Sequence, residues 1–194
     1  MMSKIAIVKY NAGNVRSVEN TLHRLGVDPI ITDDPEELKA ADKVIFPGVG
    51  EASTAMNFLK AKGLDEVIKN LKQPVLGICL GLQLMCKHTE EGDADCLGIF
   101  DVLVKRFPPE DKVPHVGWNS LSKLKSPLFE GLEKPYVYFV HSYYAETNEW
   151  EIAEANYILP FATALHRDNF YAIQAHPEKS GEVGAKILEN FLKL

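Results

Sequence analysis

Pro74-Val-Leu-Gly-Ile-Cys-Leu-Gly-Leu-Gln83 decides how the rest of the chain is read. Val75 to Ile78 is a short apolar run of the length of a buried strand. The residues from Leu80 to about His88 read as a helix. Cys79 stands between them, with Gly77 and Gly81 two residues away on either side. Gly-x-Cys-x-Gly is the thiol counterpart of the Gly-x-Ser-x-Gly nucleophile elbow. So sharp a turn strains the backbone of its central residue and needs small neighbours where strand and helix cross. The side chain is then held out at the carboxyl edge of a sheet. The start of a helix, with its free N–H groups, favours a thiolate there. Cys79 therefore reads as a nucleophile; a buried structural cysteine is the alternative.

Upstream, the same strand-then-helix alternation repeats. Residues 4–8 form an apolar strand, and Gly13 in the turn that follows is free to take positive φ. Val15, Val18, Leu22 and Leu25 recur at helical spacing before a stop at Gly26. Residues 29–32 read as a strand, Asp34 caps a short helix through Leu38, and residues 44–46 form a third strand that enters Pro47-Gly-Val-Gly50. Helices follow over 51–60 and 64–71. Four strands alternating with helices predict an α/β fold, a doubly wound and largely parallel central sheet with helices on both faces. Ligands of such sheets sit at the carboxyl ends of the strands. Both Pro47–Gly50 and Cys79 fall there.

The C-terminal half reads differently, as a smaller antiparallel or mixed β portion packed on the first sheet. Strands are expected at 102–107, 136–140, 162–166 and 171–175, with Trp118-Asn119 and His141 to Tyr144 in connections. A helix over 182–192 closes the chain, with Val183, Ile187, Leu188 and Phe191 on one face. The acidic clusters 93–95 and 146–154 read as solvated surface. No linker divides the chain, so residues 1–194 are expected to form one domain.

Composition excludes several classes. The 194 residues carry a net charge of −6, which argues against nucleic acid or an anionic membrane as partner. No apolar run approaches transmembrane length, and the N-terminus does not read as a signal peptide. Three cysteines, an odd number, suggest a reducing cytoplasm rather than a disulfide framework. Cys86, His88 and Cys96 match no zinc spacing; Cys86 is expected on the core side of the elbow helix and His88 as its C-terminal cap. No metal and no cofactor are expected.

A thiol nucleophile needs a base, and the base an orienting group. His176-Pro177-Glu178 follows the strand expected at 171–175. Proline pushes the residue before it to extended angles, and positions two apart in an extended chain face the same way. Cys79, His176 and Glu178 therefore suggest a Cys-His-Glu triad. The Leu80 N–H is one oxyanion donor by the geometry of the elbow, and Gly48-Val49-Gly50 offers a second. Gln83, one helical turn beyond Cys79, has an amide able to reach a bound substrate. His141 reads as a structural histidine.

Pro47-Gly-Val-Gly50, Gly77-Ile-Cys-Leu-Gly-Leu-Gln83 and His176-Pro-Glu178 together resemble the class I (triad) glutamine amidotransferases. Gly13-Asn14, Pro114-His-Val-Gly-Trp-Asn119, Tyr138-Phe-Val-His-Ser-Tyr143 and His176-Pro-Glu-Lys-Ser180 narrow the resemblance to the glutaminase subunits of imidazole glycerol phosphate synthase, from histidine biosynthesis. The resemblance implies that Cys79 attacks the amide of glutamine and that ammonia passes to a separate (β/α)8-barrel cyclase subunit. It implies an oxyanion hole at Val49, Gly50 and Leu80 that needs reorientation of the Gly48-Val49 peptide. Gly50, Gln83, Glu91, Ser142 and Tyr143 would contact glutamine. Asn14, Trp118, Asn119, Tyr138 and Lys179 would lie toward the cyclase and the ammonia exit. Two departures stand out. Lys9-Tyr10-Asn11 replaces a common Asp-Tyr-Gly, and Ala175 replaces a bulky aromatic before the triad histidine. A stand-alone thiol hydrolase, an amidotransferase of purine or vitamin B6 synthesis and a regulatory subunit with a dead site are the other readings.

Overall fold

The computed structural model describes residues 3–194; residues 1 and 2 of the expected domain lie outside the described residues. In chain order the first half runs β1 (Ile5–Val8), α1 (Val15–Arg24), β2 (Ile30–Thr32), α2 (Pro35–Ala40), β3 (Lys43–Gly48), α3 (Ala52–Lys62), α4 (Leu64–Lys69), β4 (Val75–Cys79) and α5 (Leu80–Met85). The second half runs β5 (His88–Thr89), β6 (Ala94–Asp95), β7 (Leu103–Arg106), β8 (His115–Ser120), β9 (Tyr136–His141), β10 (Tyr143–Ala145), β11 (Glu151–Tyr157), β12 (Leu159–Arg167), β13 (Phe170–Ile173) and α6 (Gly181–Lys193).

One sheet organises the molecule, in the order β2-β1-β3-β4-β13-β12-β10-β7-β5-β6, with β11 paired to β12. Its first five strands are all parallel. The alternation of side chains along β1 divides two cores. Ala6 and Val8 pack with Leu38, Met56, Leu59 and Ile68, under α2, α3 and α4. Ile5 and Ile7 pack with Val18, Leu22, Ile187 and Phe191, under α1 and α6. Burying each of these large side chains contributes about 1.5–3 kcal/mol. β4 lies between β3 and β13, so its carboxyl end is covered on both sides by neighbouring strands.

The second half departs from expectation in its placement. Most of its strands extend the edge of the first sheet instead of forming a layer upon it. β13 joins as a fifth parallel strand beside β4. Only β8 and β9 form a separate antiparallel ribbon, in which Trp118 pairs with Tyr138. Trp118 and Asn119 are thus strand residues and not parts of a connection. β11 occupies the acidic stretch read as solvated surface, and its Glu151 is buried. The segment before it covers this strand: Lys125 donates to the Ile152 carbonyl and Ser122 exchanges bonds with Glu154.

Two local differences have clear causes. α5 ends at Met85, before His88, because the loop at 97–100 takes its last free carbonyls: Leu97, Phe100 and Gly98 N–H groups donate to Leu84, Met85 and Cys86. His88 therefore enters β5, where its ring contacts Asp93 and Asp95, and does not cap the helix. In the turn after β1 it is Asn14, not Gly13, that takes the left-handed conformation, at φ 75°. Asparagine tolerates that region. Glycine at 13 instead allows close approach: a Cβ there would lie 3.1 Å from Val49 Cγ2.

Candidate active site

Cys79 ends the central strand β4 with φ 54° and ψ −106°, a strained conformation for a residue with a Cβ. The flanking glycines make the turn possible. A Cβ on Gly81 would stand 1.9 Å from the Phe46 carbonyl oxygen, and one on Gly77 would stand 2.9 Å from the Gly81 backbone. Strand and helix cross where only hydrogen fits. The sulfur is presented at the carboxyl edge of the sheet, in a cavity of about 450 Å³, a usual volume for a small-molecule site.

His176 reaches the same cavity from the end of the adjacent strand, β13. Its N–H donates to the Tyr138 carbonyl at 2.9 Å, and its carbonyl accepts from Ser180 Oγ at 2.6 Å. His176 has extended backbone angles, but a single 3-10 turn over Pro177–Lys179, not an extended chain, carries Glu178 back to it. His176 Nδ1 and Glu178 Oε1 are 2.8 Å apart, and both side chains are buried. Burial by itself would lower the pKa of His176. Its hydrogen bond to Cys79 and the Cys79 charge, followed by the same two influences from Glu178, outweigh burial and raise it above the usual imidazole value. The site thus favours a protonated imidazole beside the sulfur.

The structure brings most of the sequence candidates to this cavity. Val49, Gly50, Leu80, Gln83, Glu91, Ser142, Tyr143 and Lys179 all line it. The Val49 carbonyl is held by the Gly13 N–H at 3.3 Å, and Gly50 has φ 127°, open to glycine. Leu80 is the first residue of α5, so its N–H has no partner within the helix. Glu91 Oε2 accepts from the Ala52 N–H at 2.9 Å, at the start of α3, and burial raises its carboxyl pKa. The amide nitrogen of Gln83 is already engaged, donating to the Tyr143 carbonyl at 3.2 Å and to Gln174 Oε1 at 3.0 Å.

The residues expected toward a partner divide. Trp118 is 46% exposed and stacks on Tyr136, 55% exposed, at 6.0 Å, while Tyr138 meets the Trp118 ring edge-on. With Val116 they make an exposed apolar face on the β8–β9 ribbon. Lys179 is exposed at the cavity. Asn119 donates to the Asn156 carbonyl at 3.0 Å. Asn14 turns inward, and its amide donates to Glu178 Oε1, the oxygen that also holds His176. Lys9 and Asn11 are exposed just beyond β1, and Ala175 is fully buried behind His176.

Several contacts in and around the site were not expected from sequence. Gln174 is buried, with Nε2 3.6 Å from Cys79 Sγ. A glutamine inside the apolar run Tyr171-Ala-Ile-Gln-Ala175 was the available signal. His141 Nε2 lies 3.1 Å from His115 Nδ1 in a buried pair, a contact with no local signature. Burial pushes the pKa of His115 down to about 4 and that of His141 down to about 3. The Tyr10 hydroxyl is buried against Gly48 with no hydrogen-bond partner. Cys86 is buried, and burial raises its thiol pKa. Among the described residues, no cluster of three or more His, Cys, Asp or Glu could hold a metal ion, and no helix is long and apolar enough to cross a membrane.

A strained cysteine at the carboxyl end of a central strand, beside a buried His-Glu pair and open to a cavity, is the arrangement of an acyl-transfer thiol enzyme. The chain belongs to the class-I glutamine amidotransferase family, whose model matches residues 7–194. Within that class it groups with the HisH subunits of imidazole glycerol phosphate synthase. It is 65% identical to that subunit of Bacteroides thetaiotaomicron, over 98% of this chain and 100% of the relative. It is 43% identical to that of Escherichia coli K12, over 98% of this chain and 99% of the relative. Solved structures share the fold. A GMP synthase component from Thermoplasma acidophilum aligns with TM-score 0.78 at 23% identity, covering 100% of this chain and 94% of that one. PurLQS from Thermotoga maritima aligns with TM-score 0.76 at 16% identity, covering 100% and 99%.

Proposed function

We propose that this chain is the glutaminase subunit of imidazole glycerol phosphate synthase, folded as a single amidotransferase domain. Cys79 attacks the side-chain amide carbon of glutamine. The oxyanion forms against the N–H groups of Leu80 and of the Val49-Gly50 segment. His176, held by Glu178, gives its proton to the departing ammonia, and a glutamyl thioester remains on Cys79. Water, deprotonated by His176, hydrolyses the thioester and releases glutamate. Gly50, Gln83, Glu91, Ser142 and Tyr143 hold the substrate.

The observation that carries this reading is the convergence of Cys79, at φ 54°, and His176, held from behind by Glu178, on one cavity. The ammonia is delivered to a cyclase partner, a (β/α)8 barrel that docks on the aromatic face of Trp118 and Tyr138, with Asn119 and Lys179 beside the exit. An exposed, stacked aromatic pair is the kind of anchor that protein interfaces favour. The test is glutamate release from glutamine by this chain alone, and then with the cyclase subunit of the same organism and that subunit's nucleotide ligand. Strong activation by the pair is expected. High activity alone, unchanged by the cyclase, would mark an independent hydrolase and overturn the partnership.

A further inference from the structure

One wall of the cavity is a buried chain of hydrogen bonds whose members His115, His141 and Gln174 the steps above leave without a role. His115 Nδ1 is 3.1 Å from His141 Nε2, and His141 Nδ1 is 2.7 Å from the Tyr143 carbonyl oxygen. The same oxygen accepts from Gln83 Nε2, which also donates to Gln174 Oε1. Gln174 Nε2 then faces Cys79 Sγ at 3.6 Å. Gln83, Gln174, His115 and His141 are all at least nine-tenths buried.

A carbonyl oxygen can only accept, so Tyr143 fixes the orientation of every group around it. Gln83 must present its NH2 to Tyr143. The second hydrogen of that NH2 meets Gln174, whose oxygen must therefore face Gln83. The NH2 of Gln174 is thereby turned to the sulfur. On the other side, His141 must carry its proton on Nδ1, leaving Nε2 to accept from His115. Nothing in the chain is free to flip without breaking a buried bond, and a broken buried bond is costly. An N–H aimed at sulfur stabilises the thiolate over the thiol, because a hydrogen bond to an ionised acceptor is roughly twice as strong as one to a neutral acceptor.

We propose that Gln174 is a further catalytic residue of this site: its amide, held by Gln83 and the Tyr143 carbonyl, donates a hydrogen bond to Cys79 Sγ and stabilises the thiolate. The bond serves twice. It favours the nucleophile before attack on glutamine, and it favours the same thiolate as leaving group when water cleaves the thioester. Gln83 acts through Gln174 as a positioning residue, in addition to any contact with substrate. The inference rests on the reading of Cys79 as the nucleophile.

The test is the rate of Cys79 alkylation by iodoacetamide as a function of pH. It is followed on the intact chain by mass spectrometry of the peptide that carries Cys79. Gln174→Met removes the donor at nearly constant volume. It is expected to slow alkylation at neutral pH about tenfold and to move the pH profile up by about one unit. Gln174→Glu, which sets a carboxyl group beside the sulfur, is expected to move it further. A purely structural role would leave the profile of a folded variant unchanged, and that result overturns the inference. A wild-type Cys79 no more reactive than an ordinary exposed thiol would instead overturn the nucleophile reading, and the inference with it. If the variants do not fold, the wild type decides. The Gln174 side-chain amide protons should shift in NMR spectra along the Cys79 alkylation profile, and their failure to move refutes the hydrogen bond.

Discussion

Replacing Glu178 by glutamine perturbs the His-Glu pair with the least change of shape. Glu178 Oε1 accepts from His176 Nδ1 at 2.8 Å and also from the Asn14 amide. Two donors at one position force the new amide to put its oxygen there, so His176 keeps its orientation. The amide nitrogen then occupies the place of Oε2, which is buried without a hydrogen-bond partner. An unsatisfied buried polar atom at this position costs about 1–3 kcal/mol in either chain, so it does not separate the variant from the wild type in stability. The effect on rate comes from the missing charge. A hydrogen bond to a charged group exceeds a neutral one by about 1 kcal/mol, which sets a lower bound near fivefold. The direct attraction of opposite charges about 4 Å apart, at an effective dielectric constant of about 20, is about 4 kcal/mol, which sets an upper bound near a thousandfold. Glutamate release by the complex with the cyclase should therefore fall between those limits in kcat. KM should change little, because Glu178 does not line the cavity. A folded Glu178→Gln complex with kcat within about twofold of wild type would refute the role given to this carboxylate.

Cys79→Ala should abolish glutamate release while leaving the circular dichroism spectrum and binding to the cyclase intact; residual release by the folded variant would refute the assignment of the nucleophile. The buried pair His115–His141 should make the protein less stable in acid, against the opposite tendency of His176, whose pKa is raised. His141 is held near 3, below its unfolded value, so the unfolded chain binds more protons and stability falls as pH drops below about 6.5. The loss from His141 between about pH 7 and about pH 5 should be about 2 kcal/mol, read from urea midpoints, and His115→Gln should reduce the total slope by removing the second such group. Trp118→Ala should weaken binding to the cyclase by about 2 kcal/mol, roughly thirtyfold in Kd, with little change in the Tm of the chain alone, since the ring is 46% exposed.

How much of this was legible depends on the range of the interactions. The elbow was readable because its requirements lie within a few residues: an apolar strand over 75–78, a cysteine, and glycines at 77 and 81 where backbones cross. His176-Pro177-Glu178 was readable for the same reason, although a 3-10 turn and not an extended chain makes the contact. The edge strands were harder. β11 carries Glu151 and Glu154, so it reads as polar surface until β12 and the segment at 122–125 are seen to cover it.

The sequence by itself determined the α/β class, the strained turn at Cys79 and the pairing of His176 with Glu178, because backbone strain, helix and strand periodicity and turn chemistry act over neighbours in the chain. The tertiary structure alone decided what surrounds them. Asn14 meets Glu178 across 164 positions, Gln174 meets Cys79 across 95, and His115 meets His141 across 26. The first two join segments that the order of the main sheet brings together, and the third joins facing residues of the separate β8–β9 ribbon. A side chain's hydrogen-bond partner at such separations is set by where the backbone folds it, and no local pattern of residues encodes that.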